Sequence, residues 1–137
     1  MDRVVKVFID GASRGNPGPS GIGVLVLDED DKEIKKISEK ISDTTNNVAE
    51  YRALLKAIIE CSNLGFSSVR FFTDSQLLAR QVNGIYKIKD EKLKSLYVKV
   101  RGKLLGFKSW EVIHIPREKN RVADKLANDS FKEISQK

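Results

Sequence analysis

Four acidic residues, Asp10, Glu50, Asp74 and Asp124, stand where the apolar pattern of the chain changes. Asp10 closes the apolar run that begins at Val4, and alternation puts it on the face of Val4 and Phe8, opposite Val5, Val7 and Ile9. Glu50 falls in the first turn of a long helical pattern, on the side of Ala53, Leu54 and Ala57. Asp74 ends "RFFTD", and Asp124 lies in the first turn of the last helical pattern, beside Ala123, Leu126 and Ala127. Singly, each has an ordinary structural explanation. Asp10 and Asp74 fit turns or helix caps, Asn47 and Glu50 have capping-box spacing, and Asp124 suits the positive end of a helix. Together they form an all-oxygen donor set, which favours Mg²⁺ or Mn²⁺ over zinc. Two such ions about 3.5–4 Å apart clamp an in-line phosphoryl displacement.

Those acids meet only if the intervening elements bring them together. Strands are expected over residues 4–10, 22–28, 34–41, 68–73 and 109–115, and helices over 47–63, 75–83, 90–105 and about 120–133. The order βββαβααβα gives an antiparallel meander followed by a β-α-β crossover. The crossover sets the first and fourth strands parallel and adjacent, so that Asp10 and Asp74 come close. "DGASRGNPGPSG" follows the first strand. It is expected either to open a turn at Asp10 or to let a phosphate backbone approach. It lacks a Gly-Lys-Ser/Thr ending and leads into a strand, which argues against a nucleotide-binding P-loop.

The chain of 137 residues suits one domain, over residues 1–137, with a lysine-bearing tail after about residue 132 expected to fray. Hydrophobic residues at 40% and charged residues at 32% are ordinary for a globular protein. A net charge of +6 leans toward an anionic partner and also serves solubility. The single cysteine, Cys61, excludes an internal disulfide and a cysteine-rich zinc site, and its apolar helical setting suggests an inert thiol. No stretch reaches membrane-spanning length and no leader pattern opens the sequence, so a cytoplasmic protein is expected.

Four blocks, "FIDGASRGNPGPSGIG", "TTNNVAEYRALLKAI", "FFTDSQLL" and "NRVADKLAN", resemble type 1 ribonuclease H in order and spacing, over essentially the whole chain. The resemblance implies an α/β ribonuclease H-like fold, a five-stranded mixed sheet flanked by helices. It implies endonucleolytic cleavage of the RNA strand of RNA–DNA hybrids, independent of sequence, with two divalent metals, leaving 5′-phosphate and 3′-hydroxyl ends. The family's acidic quartet falls on Asp10, Glu50, Asp74 and Asp124. Its contacts to the RNA strand fall on Ser13, Asn16, Asn46 and Gln76. Asn47 and Thr45 match positions facing the DNA strand, the threonine at a phosphate pocket. Donor–acceptor side chains of this kind suit recognition of a 2′-hydroxyl.

The chain departs from the better-known bacterial members in two places. Residues 83–107 are short and look like variants lacking a basic protrusion, although Lys87, Lys89, Lys92, Lys94, Lys99, Arg101 and Lys103 remain there. These cations are expected to form the wet side of a helix, or else a substitute basic surface. Without a hybrid-gripping protrusion, binding is expected to be modest and salt-sensitive. Counting also misleads at His114, which falls ten residues before Asp124, where those members have a histidine on a glycine-rich loop. Here it belongs to the strand "SWEVIHI" and is expected to be structural. Arg117, in the short connection "IPREKN", is the expected catalytic-loop cation; it cannot shuttle protons but can stabilise developing negative charge. A monomer acting on hybrids is the expectation. Other substrates for the same fold and metals, double-stranded RNA or a DNA junction, and a non-catalytic binding module are the alternatives.

Overall fold

A computed structural model describes residues 3–132. Five strands, β1 (Val4–Ser13), β2 (Gly18–Leu27), β3 (Glu33–Thr44), β4 (Ser68–Thr73) and β5 (Ser109–His114), form one sheet in the order β3-β2-β1-β4-β5. The first three are antiparallel, and β4 and β5 add in parallel to β1, as the element order requires. The helices are α1 (Asn46–Asn63), α2 (Gln76–Val82), α3 (Glu91–Leu104) and α4 (Arg121–Asp129). A single 3₁₀ turn, η1 (Arg117–Lys119), was not anticipated and shapes the short connection into α4.

The alternation seen in the sequence sorts the sheet into two faces. Val5, Val7, Ile9, Val24, Val26 and Phe71 are sealed under α1 through Ala53, Leu54, Ala57 and Ile58. Helix α3 packs on α1 through the phase of Leu93, Leu96, Val100 and Leu104. Tyr51 donates to Gln81 Oε1 at 2.8 Å in the interior, tying α1 to α2. On the opposite face α4 lies across β1, β2 and β3. Phe8 and Phe72, paired in register on β1 and β4, stack on that face with centroids 4.8 Å apart.

Several boundaries differ from expectation. Asp10 does not end β1: the strand runs on to Ser13, with Asp10 opposite Gly23. The glycine- and proline-rich segment is therefore mostly strand, and Ser13 pairs with Ser20 across a short connection. Gly11 within it, and Gly23 just beyond it, admit the protein's own helices. A Cβ on Gly11 would stand 2.3 Å from the Ala49 carbonyl carbon, and one on Gly23 would stand 2.2 Å from the Ala123 oxygen. The capping-box reading of Asn47 and Glu50 also fails. Thr45 is the N-cap of α1, its hydroxyl accepting from the Val48 amide, and Glu50 turns toward the sheet. Helix α4 ends at Asp129, short of the expected 133. The expected fraying after residue 132 lies outside the described residues. No described helix is long and apolar enough to cross a membrane.

Candidate active site

The strand order reverses at the β1–β4 junction, where the meander gives way to crossovers, and the carboxyl side of two adjacent parallel strands there is a favoured place for ligands. Asp10 lies on β1 one residue past Ile9, and Asp74 follows β4 one residue past its register partner Thr73. The two carboxylates thus stand on neighbouring strands, on the same face as Phe8 and Phe72. Glu50 reaches the same place from α1, because Gly11 allows the helix backbone close. Its Oε1 accepts from the Gly11 amide at 2.6 Å in a buried hydrogen bond. Oxygens of Asp10, Glu50 and Asp74 lie within 4.8 Å of one another. Asp124, in the first turn of α4, is close enough to hydrogen-bond Asp10. All four line a cleft of about 380 Å³, with Asn46, Ser75, Arg117 and Asn128 on its walls.

The electrostatics follow from this crowding. Burial, then the charges of Asp74 and Asp124, push Asp10 up to about 8, and Arg117 acts in the opposite direction. Glu50 is raised well above the usual carboxylate range, by burial first and Asp10 second, while its bond from Gly11 opposes the shift. Asp74 is raised by burial, against the favourable influence of Asn120, Arg117 and His114. Buried carboxylates that repel one another are unfavourable unless positive charge is supplied. Arg117 is the cleft's cationic wall, on the turn η1. An all-oxygen set of this density suits a hard divalent cation, so the residues present fit Mg²⁺ or Mn²⁺.

Of the residues expected to read the substrate, Asn46 lines the cleft, and Gln76 follows the lining residue Ser75. Asn16, Asn46, Asn47 and Gln76 are exposed, and Ser13 and Thr45 are partly buried. Asn16 also braces the fold: its Oδ1 accepts from the Asn46 amide at 2.9 Å, joining the β1–β2 connection to the start of α1. Ser13 donates to the Thr44 carbonyl at 2.7 Å, which fixes the same connection to the end of β3. His114 ends β5 as expected and is exposed, opposite Thr73 and within electrostatic reach of Asp74. Two amides were overlooked in the sequence. Asn128 donates to the Asp124 carbonyl at 2.9 Å and approaches its Oδ1 at 3.4 Å. Asn120, which opens "NRVADKLAN", is buried against β1. The available signal was its place four residues before Asp124, on the same side of a helix.

A mixed sheet with carboxylates gathered at its strand-order reversal, supplied by β1, α1, the end of β4 and α4, defines a metal-suited α/β domain of the ribonuclease H-like class. A family model described as reverse transcriptase-like matches residues 8–130. Ribonuclease HI of Halobacterium salinarum is 38% identical over 127 residues, 93% of this chain and 64% of that protein. The crystal structure of RNase H1 from the same archaeon has a TM-score of 0.93 at 37% identity, covering 95% of this chain and 98% of that one. LC11-RNase H1, isolated from compost, was solved in complex with an RNA/DNA hybrid. It has a TM-score of 0.90 at 38% identity, covering 95% of this chain and 98% of that one. The bifunctional protein of Mycobacterium tuberculosis is 37% identical over 133 residues, 96% of this chain but 36% of its own length. The chain thus spans less than two thirds of either curated relative. It belongs to the type 1 ribonuclease H family.

Proposed function

We propose that this protein hydrolyses the RNA strand of RNA–DNA hybrids, without sequence preference, in a reaction that depends on Mg²⁺ or Mn²⁺ at two sites. The observation that carries the reading is the gathering of Asp10, Glu50 and Asp74 oxygens within 4.8 Å. The hybrid-bound relative supports the choice of substrate. Asp10, Glu50, Asp74 and Asp124 would hold the cations, which when bound supply an activated water and stabilise the leaving oxygen. Glu50 is kept in place by Gly11, and Asp124 by Asn128. Ser13, Asn16, Asn46 and Gln76 bind the RNA strand through its 2′-hydroxyls, and Thr45 and Asn47 face the DNA strand. These polar tips read sugar and phosphate rather than base edges, which accounts for indifference to sequence. Arg117 faces the developing charge on the phosphate. Residues 3–132 work as one domain, a reading supported by their continuous core, and the domain acts as a monomer.

A panel of end-labelled duplexes tests this: RNA–DNA hybrid, double-stranded RNA, duplex DNA and a four-way DNA junction, each with Mg²⁺, Mn²⁺ or a chelator. Metal-dependent cutting confined to the RNA of the hybrid is expected. A 2′-deoxy nucleotide beside the scissile phosphate should suppress cutting there. Preferential cutting of double-stranded RNA or of the junction would replace the substrate, and binding without cutting would remove the enzymatic reading.

A further inference from the structure

Asn120 is almost fully enclosed behind the cleft, 1% exposed, and it bears no charge. Its side-chain Nδ2 donates to the Ile9 carbonyl at 2.8 Å and approaches Asp74 Oδ2 at 3.4 Å. Its backbone carbonyl accepts from the Asp124 amide at 3.0 Å, and its own amide donates to the Arg117 carbonyl at 2.9 Å. One residue thus touches the peptide preceding Asp10, the Asp74 carboxylate, the first turn that carries Asp124, and the turn that carries Arg117.

Strand geometry explains why a side chain is needed there. Pairing of β1 with β4 stops at Ile9 and Thr73, and the Ser75 amide turns back to the Thr73 hydroxyl at 3.0 Å. The strands part at the point where their carboxylates begin. Asn120 Nδ2 bridges the parting, with Ile9 on one side and Asp74 on the other. Its Oδ1 is buried with no hydrogen-bond partner, which is unfavourable for the fold. Packing alone would be served by an apolar side chain of the same size, whereas the contacts of Nδ2 with Ile9 and Asp74 need an amide.

We infer that Asn120 is a positioning residue: it sets the separation of Asp10 and Asp74, and the seat of Asp124 beside them, at the spacing that a shared divalent cation requires. The inference rests on the metal-dependent reading above and adds to it the element that holds the ligands. Asn120 touches no reacting atom. Its loss loosens the carboxylates, so metal affinity falls before any chemistry is considered.

The test is calorimetric titration of the metal-free protein with Mn²⁺, without nucleic acid, for the wild type, Asn120→Ala and Asn120→Ser. Leu104→Ala, a fully buried site on α3, serves as a control for general destabilisation. The expected result is a Mn²⁺ dissociation constant about tenfold higher in Asn120→Ala, with a smaller rise in Asn120→Ser, as for residues that orient metal ligands from behind. Leu104→Ala should bind Mn²⁺ as the wild type does. If Asn120→Ala does not fold by circular dichroism, Asn120→Ser carries the comparison. Wild-type affinity in a folded Asn120 variant, or an equal loss in Leu104→Ala, overturns the inference while leaving the metal-dependent reading intact. A wild type that neither binds Mn²⁺ nor cuts hybrid overturns both.

Discussion

The acidic cleft and the groove between residues 84–90 and α3 are nearly equal in size, about 380 and 400 Å³, and opposite in construction. In the cleft, like charges are crowded, Asp10 and Glu50 buried and Asp74 and Asp124 half-buried, and three of the four are restrained: Glu50 by Gly11, Asp74 by Asn120, Asp124 by Asn128. The groove is walled by Tyr86, Lys87, Ile88, Lys94, Tyr97 and Val98. There the tyrosine ring is held, by Arg80 donating to its hydroxyl at 2.6 Å, while Lys87 and Lys94 are exposed. The fold tolerates unfavourable electrostatics in one place and avoids them in the other. Charges held against their own repulsion indicate a site, because stability alone would not gather them. Charges left in water carry no such information.

The sharpest break of this contrast is removal of one repelling charge. Asp10→Asn should abolish cleavage and raise metal-free stability by about 1 kcal/mol or more, roughly 3–5 °C in Tm for a domain of this size. The pH dependence has a definite sign. The folded protein binds the Asp10 proton more tightly than the unfolded chain does, since the group moves from 3.8 to about 8. Metal-free stability therefore falls as pH rises from about 4 toward 8, and the decline should be shallower in Asp10→Asn. Thermal melts at pH 5, 6.5 and 8 with chelator check this; a wild-type Tm that rises over that range contradicts it.

A middle-sized effect is expected at the cleft's cationic wall. Arg117→Ala should lower turnover at saturating hybrid by roughly tenfold or more, about 1.4 kcal/mol of transition-state stabilisation. The structural role expected of His114 does not fit its exposure at the strand end, so His114→Ala should change stability by less than about 0.5 kcal/mol and leave turnover nearly normal. A folded His114→Ala protein with a large rate loss, beside a nearly normal Arg117→Ala, would reverse these roles.

The smallest effect belongs to the groove. If Lys87 and Lys94 merely solvate it, the double Lys87→Ala/Lys94→Ala variant keeps the wild-type dependence of hybrid affinity on salt. A slope of log affinity against log salt that shrinks by about 1–2 would show that the groove holds phosphates, and the contrast would then separate two parts of one substrate site.

The reading of sequence succeeded where period and chemistry agreed. Residues 68–73 form β4 as expected because β-branched and aromatic side chains fill a strand buried on one face and edged by turns. Glu50 was placed on the sheet-facing side of α1 by its phase with Ala53 and Ala57. Failures came where tertiary contact overrode local signals. Gly11 and Gly21, which read as part of a loop after Asp10, are strand positions pressed against α1 and α4, and spacing along one segment does not reveal a helix arriving from another. Asn120 read as a helix start, and only the parting of β1 from β4 gives its amide a purpose. The capping box at Asn47 was a local solution that Thr45 and Gly11 displaced.

The close seating of α4 on Gly23 has a consequence for the order in which the site is completed. The cleft draws its carboxylates from the first strand and the last helix, and α4 rests on the sheet with no room for a Cβ between them. During synthesis, β1, α1 and β4 emerge from the ribosome well before Asp124 does. In chain order Asp10, Glu50 and Asp74 therefore precede the fourth carboxylate of the proposed metal site, which arrives with α4.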